Sequence, residues 1–171
     1  NQANLASLAM LAYLALVTFV ILRHSMRVLE AKRDPTLLDT WLDRGLALGA
    51  IGASVAIVAF AALRPTSNSI VLYAMSPIGL STGFDILRYV RGGETSPRAW
   101  FYQHLGATLG AGIAFHTAFA VFGASRLFDL NLSGVVSVLP WILPTAIGLP
   151  GILLWKRHYR RKFGELTPRA A

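Results

Sequence analysis

The sequence predicts an all-α fold, a polytopic transmembrane helical bundle with about five spanning helices in one domain over residues 1–171. Three observations lead there. Hydrophobic residues make up 54% and charged residues 14% of the chain, whereas soluble domains carry about a quarter charged residues. The apolar residues run in unbroken blocks of about 20, the length that crosses a hydrocarbon core. The period-two alternation of a membrane barrel is missing, and backbone in lipid must then satisfy itself as helix.

The first block is Leu5–Leu22, ending at Arg23, and the second is Gly45–Leu63. Ile70–Leu87 is the third, with Asp85 intruding near its end. Ala99–Gly123 is the fourth and Val135–Trp155 the fifth, leaving 156–171 as a basic cytoplasmic tail. No basic stretch precedes the first block and no small-residue cleavage site follows it, so it is expected to span rather than to be a signal peptide. "RDPT" at 33–36 ends the extension of the first helix, because Pro35 disfavours helix at Asp34. "RPTSNS" makes a short outer turn. In "RGGETSPR", Ser96 is expected as an N-cap with Pro97 at the first helical position. Leu127, Phe128 and Leu130 of the outer loop are expected to dip into the interface. Pro140, Pro144 and Pro150 should kink the last helix, with neighbouring helices repairing the lost backbone bonds.

Charge sets the expected orientation. Arg23, Arg27, Lys32, Arg33, Arg44, Arg88, Arg91, Arg98, Lys156, Arg157, Arg160, Arg161, Lys162 and Arg169 fall on one side of a zigzag, and Arg64 and Arg126 on the other. The positive-inside rule makes the rich side cytoplasmic, which predicts a multi-pass protein of the inner (plasma) membrane with its carboxyl terminus inside. The tail "KRHYRRKF" then reads as a topology signal meeting anionic lipids of the bilayer, and not as a nucleic-acid patch. His24 and His158 lie among these basic residues and are expected to be solvated. With no cysteine, disulfides, thiolate metal sites and thiol catalysis are excluded.

Small residues recur every four positions at Gly106, Gly110, Ala114 and Ala118, and again at Gly45, Gly49 and Ala53. Such seams let membrane helices approach closely. The fourth block also carries His104 and His116. Twelve residues separate them by about 18 Å and about 120°, so they serve separate places. His104 is expected to pair near the cytoplasmic end. His116 lies deep, where a polar ring needs a partner: a hydrogen bond across helices to Thr117, Thr82, Ser76 or Ser54 is one reading. The other uses Gly112, one turn earlier, as clearance for a flat macrocycle, a haem or a chlorophyll, ligated by the imidazole. Asp85 and Arg88 stand at i and i+3 and are expected to form an ion pair.

"WFYQHLGATLGAGIAFHTAFAVFG" followed by "LPWILPTAIGLPGILLWKRHYRRKF" resembles a group of uncharacterised bacterial multi-helix integral membrane proteins. The matching residues are His104, Thr117, Ala118, Phe119, Pro140, Trp141, Pro144, Thr145 and Gly148. The likeness covers about the last 75 residues, and His116 lies outside it. It implies a multi-helix bundle with further helix ahead of the first residue here, and it implies no activity. The residues favour a non-enzymatic accessory or interaction subunit joined to other membrane subunits. The alternatives are a haem- or (bacterio)chlorophyll-binding redox or pigment protein using His116, with His104 at a second site, or a small transporter built on the kinked last helix.

Overall fold

A computed structural model describes residues 2–66, 69–94, 96–124, 127–128 and 134–166. All regular structure among them is helical, and five helices are long and apolar enough to cross a membrane. The chain divides into two compact units, Asn1–Glu94 and Thr95–Ala171.

The first unit holds α1 (Gln2–Glu30), a 3-10 turn (Pro35–Leu38), α2 (Trp41–Leu63) and α3 (Ser69–Val90). Buried positions on α1 recur every three or four residues, from Ala6 through Met10, Tyr13, Val17, Val20 and His24 to Val28. That periodicity does not stop at Arg23. The helix therefore runs on to Glu30, beyond the apolar block that announced it. Asp34 caps the 3-10 turn, accepting from the backbone N–H of Thr36 at 3.0 Å, and Pro35 opens it. Thr40 then caps α2, its hydroxyl taking the N–H of Asp43 at 3.1 Å while donating to the Asp43 carboxylate. This reciprocal box starts the helix at Trp41, ahead of Gly45.

The close helix approach in this unit differs from the expected one. A Cβ on Gly45 or Gly49 would meet nothing within 4 Å, so that seam faces away from neighbours. The seam that packs is Gly79 and Gly83 on α3. A Cβ at Gly79 would lie 2.8 Å from the Ala50 carbonyl oxygen, and one at Gly83 would fall on the Ala47 carbonyl and 2.5 Å from Ile51 Cγ1. Small residues on both helices bring the two backbones together, around a core of Val20, Ala47, Ala50 and Ile86. Gly92 closes α3 in the left-handed region at φ 76°, with Gly92 N–H on Tyr89 O and Gly93 N–H on Arg88 O, a Schellman stop.

The second unit is a helical hairpin of α4 (Ala99–Ala118), which widens into a π turn (Phe119–Ala124), and α5 (Leu139–Lys162), preceded by a 3-10 turn (Gly134–Val138). Ser96 is not the N-cap of α4: the helix starts at Ala99, and the Ser96 hydroxyl accepts from Arg98 N–H at 3.1 Å within the preceding turn. α5 continues through the basic residues to Lys162, so much of the expected tail is helix. Gly164 stops it at φ 71°, with Gly164 N–H on Arg161 O and Glu165 N–H on Arg160 O, again a Schellman geometry. Leu127 and Phe128 are exposed, whereas Arg126, Leu130 and Arg169 lie outside the described residues.

The α4 seam packs only in part. A Cβ on Gly106 would lie 2.6 Å from Lys156 Nζ, but Gly110 has nothing within 4 Å. The tight crossing instead puts Ile113 of α4 over Gly148 of α5.

Candidate functional site

In the first unit the polar chemistry gathers where Pro77 interrupts α3. Proline has no N–H and crowds the carbonyl four residues earlier, so Tyr73 O loses its helical donor; the Ser76 hydroxyl supplies one at 2.9 Å. Two residues past Pro77, Gly79 N–H donates to the Tyr13 hydroxyl at 2.9 Å. That hydroxyl lies 3.0 Å from Met75 O, 3.1 Å from Ser76 O and 3.2 Å from Ser54 Oγ, its single proton shared among them. Ser54 is anchored to Ala50 O at 2.9 Å. Tyr13, Ser54 and Ser76 are all buried. A side chain from α1 thus enters the hydrogen-bond ladder of α3, one of the recognised origins of a helix break.

A second cluster lies where α1 ends and α2 begins. Asp43, 6% exposed, forms an ion pair with Arg23 and faces Arg27 at 4.0 Å. Arg27 also donates to Leu37 O at 2.9 Å, tying the connection between the helices to α1. His24 is buried rather than solvated, edge-on to Tyr89 with ring centroids 6.0 Å apart. α1, α2 and α3 therefore bring their basic ends to one end of the unit.

The second unit is clasped where α4 begins and α5 ends. Glu165 accepts from the Ser96 hydroxyl at 2.8 Å and pairs with Arg98 at 3.1 Å. Partial burial pushes its carboxyl up, but the donors of Ser96, Tyr102 and Arg98 and the Arg98 charge outweigh this and hold it below the usual value. Phe101 packs edge-on to Tyr159 and Phe163, with centroids 5.1 and 5.8 Å away, and the Arg98 guanidinium covers Phe163 at 4.4 Å. The basic tail is therefore built around an aromatic face. His158 is exposed, as expected.

Of the residues singled out in the sequence, His116 and Gly112 meet directly. His116 Nδ1 lies 2.7 Å from Gly112 O; a carbonyl only accepts, so Nδ1 carries the proton and Nε2 the lone pair. The bond is within α4, not across helices to Thr117, Thr82, Ser76 or Ser54. The ring is exposed. His104 is half-buried. Asp85 and Arg88 are both exposed and form no ion pair with each other among the described residues; the Arg88 stem lies over Gly93, whose Cβ would be 2.5 Å from Arg88 Cγ. No group of three or more His, Asp or Glu able to hold a metal ion occurs among the described residues.

Tyr13, Asp43 and Glu165 were not foreseen. The Thr40-x-x-Asp43 spacing is a capping signature and could have pointed to Asp43. The Gly164–Glu165 pair shortly after Lys162 could have marked a stop. Nothing around Tyr13 points to Pro77. Compared with protein-family models, curated proteins and solved structures, the chain matches none.

Proposed function

We propose that this protein is a non-enzymatic, multi-pass component of a bacterial plasma membrane, acting as an accessory or interaction subunit of a larger membrane assembly. The contrast between its proline breaks carries the reading. The carbonyl stripped by Pro77 in α3 is repaired inside the chain by Ser76. In α5, Pro144 and Pro150 take the helical donors from Pro140 O and Ala146 O, and among the described residues no side chain donates to either oxygen. An unmet carbonyl in hydrocarbon costs roughly 2–7 kcal/mol on transfer scales. In this reading a polar side chain from a neighbouring subunit's helix meets them, as adjacent helices do for broken membrane helices generally.

The fourteen-to-two split of basic residues supports a cytoplasmic placement of the Lys32 connection, the Gly92 loop and the end of α5. Exposed Arg33, Arg88, Arg91 and Arg157 would there meet anionic headgroups. The double variant Pro144→Ala/Pro150→Ala tests the assembly reading. It restores both backbone bonds, so the isolated chain should unfold at a higher temperature while its complex, followed by native mass spectrometry after mild solubilisation, falls to the mass of the lone chain. A wild-type protein that already runs as the lone chain would contradict the proposal.

A further inference from the structure

The fourth helix leaves a ring nitrogen of the exposed His116 with no protein group bonded to it among the described residues. We propose that His116 Nε2 is the axial ligand of a planar metal tetrapyrrole that lies against α4 over Gly112. The argument begins with depth. Lys156 Nζ, a charge that a long stem carries toward the polar boundary, reaches the level of Gly106 on this hairpin. His116 is ten residues further along α4, about 15 Å by the helical rise, which is near the middle of a hydrocarbon core about 30 Å thick. Water does not serve a ring at that depth.

Tautomer and orientation come next. With Nδ1–H committed to Gly112 O at 2.7 Å, the lone pair is on Nε2, and among the described residues nothing is bonded to it. Histidines that ligate metals characteristically donate their other ring N–H to a carbonyl or carboxylate, which fixes the ring and raises its basicity. The bond to Gly112 O supplies that support from within the helix, before any ligand arrives.

The surroundings suit a broad apolar plate better than a single donor. A Cβ on Gly112 would meet nothing within 4 Å, so the backbone beside the ring is bare. The side chain of Ile113 is turned away into Gly148. Phe115 and Phe119, one position before and three after His116, leave 57% and 55% of their surface open, apolar area for a flat macrocycle to cover. Three residues later the helix widens into the π turn Phe119–Ala124, a departure frequent at functional places in helices. Imidazole suits iron, zinc and similar metals, so an iron porphyrin and a chlorophyll-type ring share the required chemistry. The inference is independent of the assembly proposed above, because it concerns α4 and not the prolines of α5.

The full chain in lipid nanodiscs, titrated with iron protoporphyrin IX and separately with zinc protoporphyrin, tests this. The wild type should take up one equivalent with a shifted Soret band. His116→Ala and His116→Gln should each abolish the shift and weaken binding by at least about tenfold, the smallest loss usual when even a supporting group is removed. Gly112→Ile should weaken binding with the imidazole still present, and His104→Ala should titrate like the wild type. Uptake of zinc alone would assign a chlorophyll-type, five-coordinate metal, and uptake of iron a haem. Failure of both porphyrins to bind, or identical titrations for the wild type and both His116 variants that melt at its temperature, would overturn the proposal.

Discussion

The backbone N–H of Gly79 in α3 donates to the hydroxyl of Tyr13 in α1 across 2.9 Å. Two residues past Pro77, a side chain from a helix far away in sequence thus joins the backbone of α3. Tyr13→Phe keeps the ring and its packing but removes the hydroxyl that takes Gly79 N–H and lies against Met75 O and Ser76 O. Leaving a buried donor or acceptor unmet costs about 1–3 kcal/mol. The thermal midpoint in detergent should fall accordingly, and an unchanged midpoint would show that α3 recloses without Tyr13.

Glycine substitutions separate packed seams from open ones. Gly83→Ala puts a methyl group onto the Ala47 carbonyl and Ile51 and should destabilise by about 1–3 kcal/mol, as overpacking does. Gly110→Ala meets nothing within 4 Å and should be neutral or slightly stabilising, since an interior helical glycine costs roughly 0.5–1 kcal/mol relative to alanine. Equal losses from the two variants, measured as shifts in thermal unfolding, would contradict this assignment of faces.

Asp43 binds Arg23 and faces Arg27 at the end of the first unit. Removing one member of a buried pair strands the other charge, a loss of roughly 3–5 kcal/mol when burial is complete. Arg23 is 23% exposed, so Asp43→Asn should cost less than that range. Asp43→Asn combined with Arg23→Met should recover part of the loss. A double variant no more stable than the single one would show that the pair is not the unit of stabilisation.

Acid should loosen the second unit at its clasp. The Glu165 carboxyl is held below its usual value of 4.5 by Ser96, Tyr102 and Arg98 acting against partial burial. A carboxylate with a lowered folded value contributes its stability in full above its unfolded value, and loses it as pH falls through the folded one. Thermal stability should therefore decline as pH drops through and below the ordinary glutamate range. Glu165→Gln should flatten that part of the profile while leaving a less stable protein at neutral pH. A variant with the same acid slope as the wild type would refute the clasp.

The five spans were legible because block length alone decides them, but their ends were not. Counting apolar residues stops at the first charge, at Arg23 and at Lys156, whereas the helices continue because those residues find partners: Asp43 for Arg23, an aromatic face for the residues after Lys156. Helix rotation was equally hidden. Gly45/Gly49 and Gly79/Gly83 obey the same spacing rule, and only the neighbour of each face says which one packs. Tyr13 was invisible because its partners are backbone atoms around Pro77, which no side-chain pattern reveals. His116 and Gly112 were found together because they are neighbours one turn apart, although the reason they meet is a hydrogen bond and not clearance alone.

The proposed cytoplasmic placement of the basic helix ends is open to one direct measurement. The chain has no cysteine of its own, so Lys32→Cys, Pro65→Cys and His158→Cys can each be probed in intact cells with a membrane-impermeant maleimide. All three positions are exposed. Position 65 should react from outside, and positions 32 and 158 only after the membrane is permeabilised. Labelling of 32 or 158 in intact cells, with 65 protected, would reverse the orientation and remove the basis for the proposed placement.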